Sequence, residues 1–336
     1  MTALRTRGGM LAVAVAAALV LAVGLAAAGA FGACDKAAKK GGRPSVAVSS
    51  SAYGAVGYVL ARTFATTLHP RAADTWGEIG AREFVFNAFQ QYGYFPRTQE
   101  FIASSPRGRV HSANIIAVKQ GESAKQLIVG AHYDSAPLGE GYSDNATGTG
   151  LLLEAAARIK SQDTPYTIVF VAFGAEEKGL LGSHFYARTM NELERRATIG
   201  MIDLDAVAGG AALTVTSRFG DPTWLRDDAL TAARSLGIPL GTSPTGKGRP
   251  AGVSMASSDD DPFALEDIAT AAFTATDWRV DDTGLTATGE GGRLWHSRKD
   301  TVAFVDRAYP GRVRQQLADL SRLLETLLTS KLEKRP

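Results

Sequence analysis

Short apolar segments alternate along this chain with stretches of helical periodicity, and that alternation restricts its fold more than any other feature. Residues 114–118, 126–131, 167–173, 200–204, 213–216 and 269–274 read as strands, and most are nearly continuous in hydrophobic residues. A strand that is apolar on both sides needs cover on both sides. Helical spacing runs through residues 53–68, 75–92, 148–160, 180–194 and 223–236; in the second of these Ala81, Phe84, Val85, Ala88 and Phe89 recur on one face. After Pro310, Val313, Leu317, Leu320, Leu324, Leu327 and Leu328 form the stripe of a closing helix, expected to pack on the sheet. The pattern predicts an α/β fold, a mixed and mostly parallel central sheet with helices on both faces.

The amino-terminal residues do not share the pattern. Arg5 and Arg7 precede an almost unbroken Ala/Val/Leu/Gly run over residues 10–33, so residues 1–34 read as a signal peptide or membrane anchor. Three fates stay open. Ala28-Gly29-Ala30 suits an ordinary signal peptidase, Phe31-Gly32-Ala33-Cys34 resembles a lipoprotein cleavage box, and the run is long enough to span a membrane uncleaved. Cys34 is the only cysteine, which rules out an intrachain disulfide. Residues 35–50 are rich in Lys, Gly, Pro and Ser and read as a flexible tether, with residues 51–336 as one folded domain. The expected location is outside the cytoplasm, periplasmic or in the cell envelope, tethered to the membrane through a lipid or a helix. Six positive charges and one negative lie in residues 1–43, which leaves 30 Lys+Arg against 33 Asp+Glu beyond. A slightly acidic body lacks the clustered cations that nucleic acid binding requires.

In open α/β sheets chemistry collects beyond the carboxyl ends of strands. Segment 126–131 runs into His132-Tyr133-Asp134-Ser135, and Ser143-Asp144-Asn145 opens the next helix. Segment 167–173 ends in Gly174-Ala175-Glu176-Glu177, and segment 200–204 delivers Asp203 and Asp205. A last polar cluster, Trp295-His296-Ser297-Arg298-Lys299-Asp300, lies late in the chain in a glycine-flanked loop. Singly, each has an ordinary reading: Asp144 as a helix cap, the Glu pair as a solvated helix start, a loop histidine as structural. Together, imidazoles and carboxylates at several strand ends are what Zn²⁺ takes where thiolates are missing, and one shared carboxylate builds a two-metal site.

At these residues the chain resembles the secreted bacterial two-zinc aminopeptidases, in particular the branch of the alkaline phosphatase isozyme conversion aminopeptidase. The matching blocks are Asn114-Ile115-Ile116-Ala117, residues 128–135 through His132 and Asp134, Ser143-Asp144-Asn145-Ala146-Thr147-Gly148, Phe173-Gly174-Ala175-Glu176-Glu177 with Gly179-Leu180-Leu181-Gly182-Ser183, residues 202–207, and residues 296–301. They fall in the family's order across residues 53–330. The resemblance implies a zinc exopeptidase fold and two Zn²⁺ per chain, one held by His132 and Asp205, the other by Glu177 and His296, with Asp144 bridging. It implies Asp134 as the group that orients His132 and Glu176 as the general base, acting on a metal-bridged water. The substrates it implies are peptide or protein N-termini. Asp203 competes with Asp205, since residues two apart on a strand share a face. The family's residues after its metal carboxylate resemble Ala206-Val207-Ala208-Gly209, which favours Asp205.

Two departures bear on specificity. Asp260 stands where the family usually has His, and Leu265-Glu266-Asp267-Ile268 replaces a glycine-containing turn. Residues 259–261 read either as a site for a substrate's amino group or as a solvated acidic turn. Trp295 precedes His296 where some relatives carry Tyr, and offers only its indole N–H. His69, His111 and His184 match no ligand position and read as structural. Other readings are a glutaminyl cyclase or carboxypeptidase on the same zinc fold, or a peptide-binding protein without catalysis. A serine hydrolase is disfavoured because no Gly-x-Ser-x-Gly occurs, and no P-loop motif occurs either.

Overall fold

The segments that are apolar on both faces become the middle of the sheet. In the computed structural model, which describes residues 51–106, 108–246, 250–254, 256–278 and 292–332, the strands are β1 (Arg97–Ser105), β2 (Gly108–Lys119), β3 (Ser123–His132), β4 (Tyr166–Phe173), β5 (Thr198–Leu204), β6 (Ala212–Thr216), β7 (Leu240–Gly241) and β8 (Thr270–Thr276). They form one sheet in the order β1-β2-β4-β3-β5-β8-β6-β7. Strands β4, β3, β5 and β8 run parallel, while β1, β2 and β6 introduce antiparallel pairings at the flanks.

Alternation along the central strands sorts side chains into two layers. Leu127, Val129, Ile168, Phe170, Ile202 and Leu204 join one apolar cluster. It is covered by α1 (Ala55–Leu68), α2 (Trp76–Gln91), α3 (Thr147–Ile159), α6 (Trp224–Leu236), α8 (Val302–Ala308) and α9 (Arg312–Thr329). Ile128, Val169, Val171, Phe173 and Met201 face the other way, against α4 (Leu181–Thr189) and α7 (Asp261–Ala264). The expected α/β class, with cover on both faces, is what the chain adopts.

Three expectations change in detail. Strand β1 and the first half of β2 carried no strand signal, because polar residues such as Arg97, Gln99 and Glu100 fill an edge hairpin that is partly open to solvent. Residues 180–194 divide into α4 and α5 (Glu192–Ala197), and Asn191 starts α5 with a capping box to Glu194. Helix α9 packs chiefly on α3, α1 and α6, an outer layer over helices instead of directly on the sheet.

Helix α1 begins at Gly54, which has no side chain to cap it. Glu154 of α3 reaches across to do so, accepting from the backbone N–H of Gly54 at 2.8 Å and of Gly57 at 2.6 Å. Glu154 also pairs with Arg158 at 2.7 Å, and Arg158 donates to the carbonyls of Ser51 and Ala52 at 3.0 and 2.8 Å. The start of the folded body is thereby fastened to the carboxyl end of α3. The signal or anchor expected over 1–34 and the tether over 35–50 lie outside the described residues. Among the described residues no helix is long and apolar enough to cross a membrane.

Candidate active site

Adjacent parallel strands β4, β3 and β5 end side by side, and their ends carry the candidates. His132 closes β3, Asp205 follows β5, and Glu176 and Glu177 form a 3₁₀ turn just past β4. Gly174 makes that exit possible: a Cβ there would stand 2.3 Å from Ser112 Oγ and 2.6 Å from the Ala113 carbonyl. Asp144 does not open α3 as expected. It sits in the wide turn Tyr142–Ala146 just before that helix, with its own φ and ψ outside the helical region.

The side chains converge on two overlapping groups that share Asp144. His132 Nε2 lies 3.2 Å from Asp144 Oδ1 and 3.2 Å from Asp205 Oδ1. His296 Nε2 lies 3.3 Å from Asp144 Oδ2 and 2.8 Å from Glu177 Oε2. Ligands at ~2.0–2.1 Å from a tetrahedral zinc stand about 3.3 Å from one another, so both groups have the spacing of metal ligands. Glu176 belongs to neither, and its Oε2 is 4.0 Å from His132 Nε2. Asp203 is brought near but not in: it is buried behind Asp205, with Ser258 Oγ 2.7 Å from Asp203 and 3.0 Å from Asp205.

The electrostatics describe a place that attracts cations. Hydrogen bonds donated to Asp144 and Glu177 push the His296 imidazole up to about 10. Burial would lower His132, yet the charge of Glu176 and the bonds to Asp134, Asp144 and Asp205 hold it well above its ordinary value. Burial would raise Asp144, but its two histidines keep it below the usual carboxylate range. Glu176 is pushed well above that range, first by burial.

Asp134 is placed differently from the simple expectation. The nearer partner of His132 Nδ1 is the Asp134 backbone carbonyl at 3.2 Å, with its carboxylate at 3.6 Å. That carboxylate also accepts from the backbone N–H of Glu176 at 3.0 Å and Glu177 at 3.2 Å, which sets the turn bearing both. Sequence reasoning missed Arg71. It is fully buried and donates to the carbonyls of Tyr133, Glu140 and Gly141 at 3.0, 2.8 and 2.8 Å, bracing the loop that leads to Asp144. No sequence signal marks it, because an arginine beside a proline in a loop reads as solvated.

Beside the cluster opens a cavity of roughly 300 Å³ walled by Thr216, Arg218, Phe273, Trp278 and Trp295. The solvated-turn reading of residues 259–261 does not hold, since Asp259 and Asp260 are fully buried. Asp260 forms a two-pronged ion pair with Arg218, and Asp261 stands 2.7 Å from the same guanidinium. The Asp at 260 therefore comes with an arginine to neutralise it in the cavity wall.

A family model described as Peptidase family M28 matches residues 114–321. The alkaline phosphatase isozyme conversion protein of Escherichia coli is 31% identical over 303 residues, covering 80% of this chain and 88% of that protein. Among solved structures, a zinc aminopeptidase from Bacillus subtilis superposes with a TM-score of 0.69 at 18% identity, over 85% of this chain and 97% of that one. Tannerella forsythia glutaminyl cyclase does so with a TM-score of 0.66 at 19% identity, over 83% and 98%. The two superpositions establish the fold, which aminopeptidases and cyclases share.

Proposed function

Because the chain belongs to peptidase family M28, we propose that it is a two-zinc aminopeptidase that removes the first residue of a peptide. The observation that carries this reading is the pair of three-ligand groups sharing Asp144, with Glu176 left uncommitted beside them. His132, Asp144 and Asp205 would hold one zinc, and Asp144, Glu177 and His296 the other. Zinc bound there supplies Lewis acidity and brings the pKa of water down toward ~7.

The chain's own groups do the rest. Glu176 takes the proton of the attacking water and returns it to the departing amine, a role suited to a buried carboxyl whose affinity for protons is raised. Asp134 holds the Glu176–Glu177 turn through two backbone N–H groups, so the base and a ligand keep separate directions. The cavity receives the side chain of the first residue. Ahead of this domain, residues 1–34 serve export and residues 35–50 tether it to the envelope.

The test pairs metal analysis with substrates. Purified protein should carry about two zinc ions per chain, the content of a co-catalytic site, and chelation should abolish activity that zinc restores. Amino-acyl anilides should be cleaved and N-acetylated ones should not. Conversion of a glutaminyl peptide to its pyroglutamyl form without release of an amino acid would overturn the reading.

A further inference from the structure

The bridging carboxylate stands on a loop that is tied in two directions. On one side Asn145 reaches β5: its Nδ2 donates to the Leu204 carbonyl at 2.8 Å and its Oδ1 accepts from the Ala206 N–H at 3.3 Å. Those two residues flank Asp205. On the other side Asp300, in the loop that carries His296, accepts from the backbone N–H of Ser143 at 2.6 Å and of Asp144 at 3.1 Å. Its carbonyl also accepts from Glu140 N–H at 2.8 Å, and Glu140 in turn accepts from Val302 N–H at 2.8 Å. The two loops press so closely that a Cβ at Gly139 would stand 2.6 Å from the Ser297 carbonyl and 2.8 Å from that of Asp300.

We propose that Asp300 is a positioning residue that sets the span between Asp144 and His296, and so governs one metal position selectively. The inference rests on the two-zinc reading. The Asp144 to Asp205 span is held independently through Asn145, so loss of the Asp300 carboxylate loosens His296 against Asp144, with only the Glu140 links left between the two loops, while leaving His132, Asp144 and Asp205 together. Asp300 touches neither a ligand atom nor the cavity; it acts through the Ser143 and Asp144 amides and through its charge on the buried Arg71 that braces the same loop. A buried carboxylate with two amide donors is also a defined mechanical link, since neither bond can be replaced by water without opening the loop.

The experiment titrates zinc into the metal-free full-length protein against a competing chelator, for the wild type and for Asp300→Asn, with thermal unfolding measured alongside. The step abolished by His296→Ala identifies the position in question. In Asp300→Asn that same step should weaken by roughly tenfold or more, as support groups around metal ligands do, while the other step moves by less than about twofold and the melting temperature of the metal-free protein is nearly kept. Asp300→Glu, which retains two acceptor oxygens, should recover part of the loss. Equal weakening of both steps, no change in either, or collapse of the fold in both variants would overturn the proposal. A wild type that shows a single step or none overturns the two-zinc reading itself, and is distinguished by that control.

Discussion

Glu176 and Glu177 are neighbours in sequence with different company. Glu177 Oε2 touches His296 and its Oε1 accepts from the Ala136 N–H at 2.7 Å, whereas Glu176 points at the shared space. Glu176→Gln keeps the shape but cannot accept a proton, so kcat should fall by roughly 10²–10⁴ with zinc content unchanged. Glu177→Gln should instead release metal; zinc analysis and steady-state rates on the two variants decide, and reversed phenotypes would shift the base by one position. At this scale much of the site was legible, because His132, Asp144, Glu177, Asp205 and His296 lie in blocks whose order along the chain is itself informative. The choice between Asp203 and Asp205 was not settled by alternation, since both face one way; burial separates them, and it depends on Ser258, which is distant in sequence. Arg71 and the Asp260 to Arg218 pair were hidden for the same reason, as their partners come from remote segments.

Helices and strands here depend on one another for their ends. Glu154 caps α1 from α3 and also accepts from Ser321 Oγ of α9 at 2.6 Å, so one carboxylate joins three helices. Glu154→Ala would take the nearest carboxylate from the buried Arg158 guanidinium and leave two amides unpaired, and should cost about 3–5 kcal/mol in urea unfolding. Activity per folded molecule should survive, since the site lies at the other end of α3; a loss below 1 kcal/mol would mean that water or another group replaces the carboxylate. The central strands were readable because continuous apolar runs have few other uses. The edge hairpin was not, since β1 derives its stability from pairing with β2 and its own residues are mostly polar. The break between α4 and α5 was equally hidden, because the apolar spacing continues across Met190 and Asn191 while the backbone turns there.

At the scale of the whole molecule, the proposed export of the folded body turns on residues 1–34. If Cys34 bears lipid, the mature chain starts there, and Cys34→Ser should stop that processing and alter membrane fractionation; each buried lipid CH₂ contributes ~0.8 kcal/mol to anchoring. A mature amino terminus at Phe31, read by mass spectrometry, would refute lipidation. Every group proposed for zinc lies beyond residue 51, so that result would leave the chemistry untouched. The hold of Arg158 on Ser51 and Ala52 adds a geometric consequence. Helix α3 starts beside Asp144 and runs about 17 Å to Arg158. The chain thus enters the folded part at the end of α3 remote from Asp144, so a bead, an affinity tag or a fusion partner joined directly at residue 51 attaches away from the groups proposed for zinc.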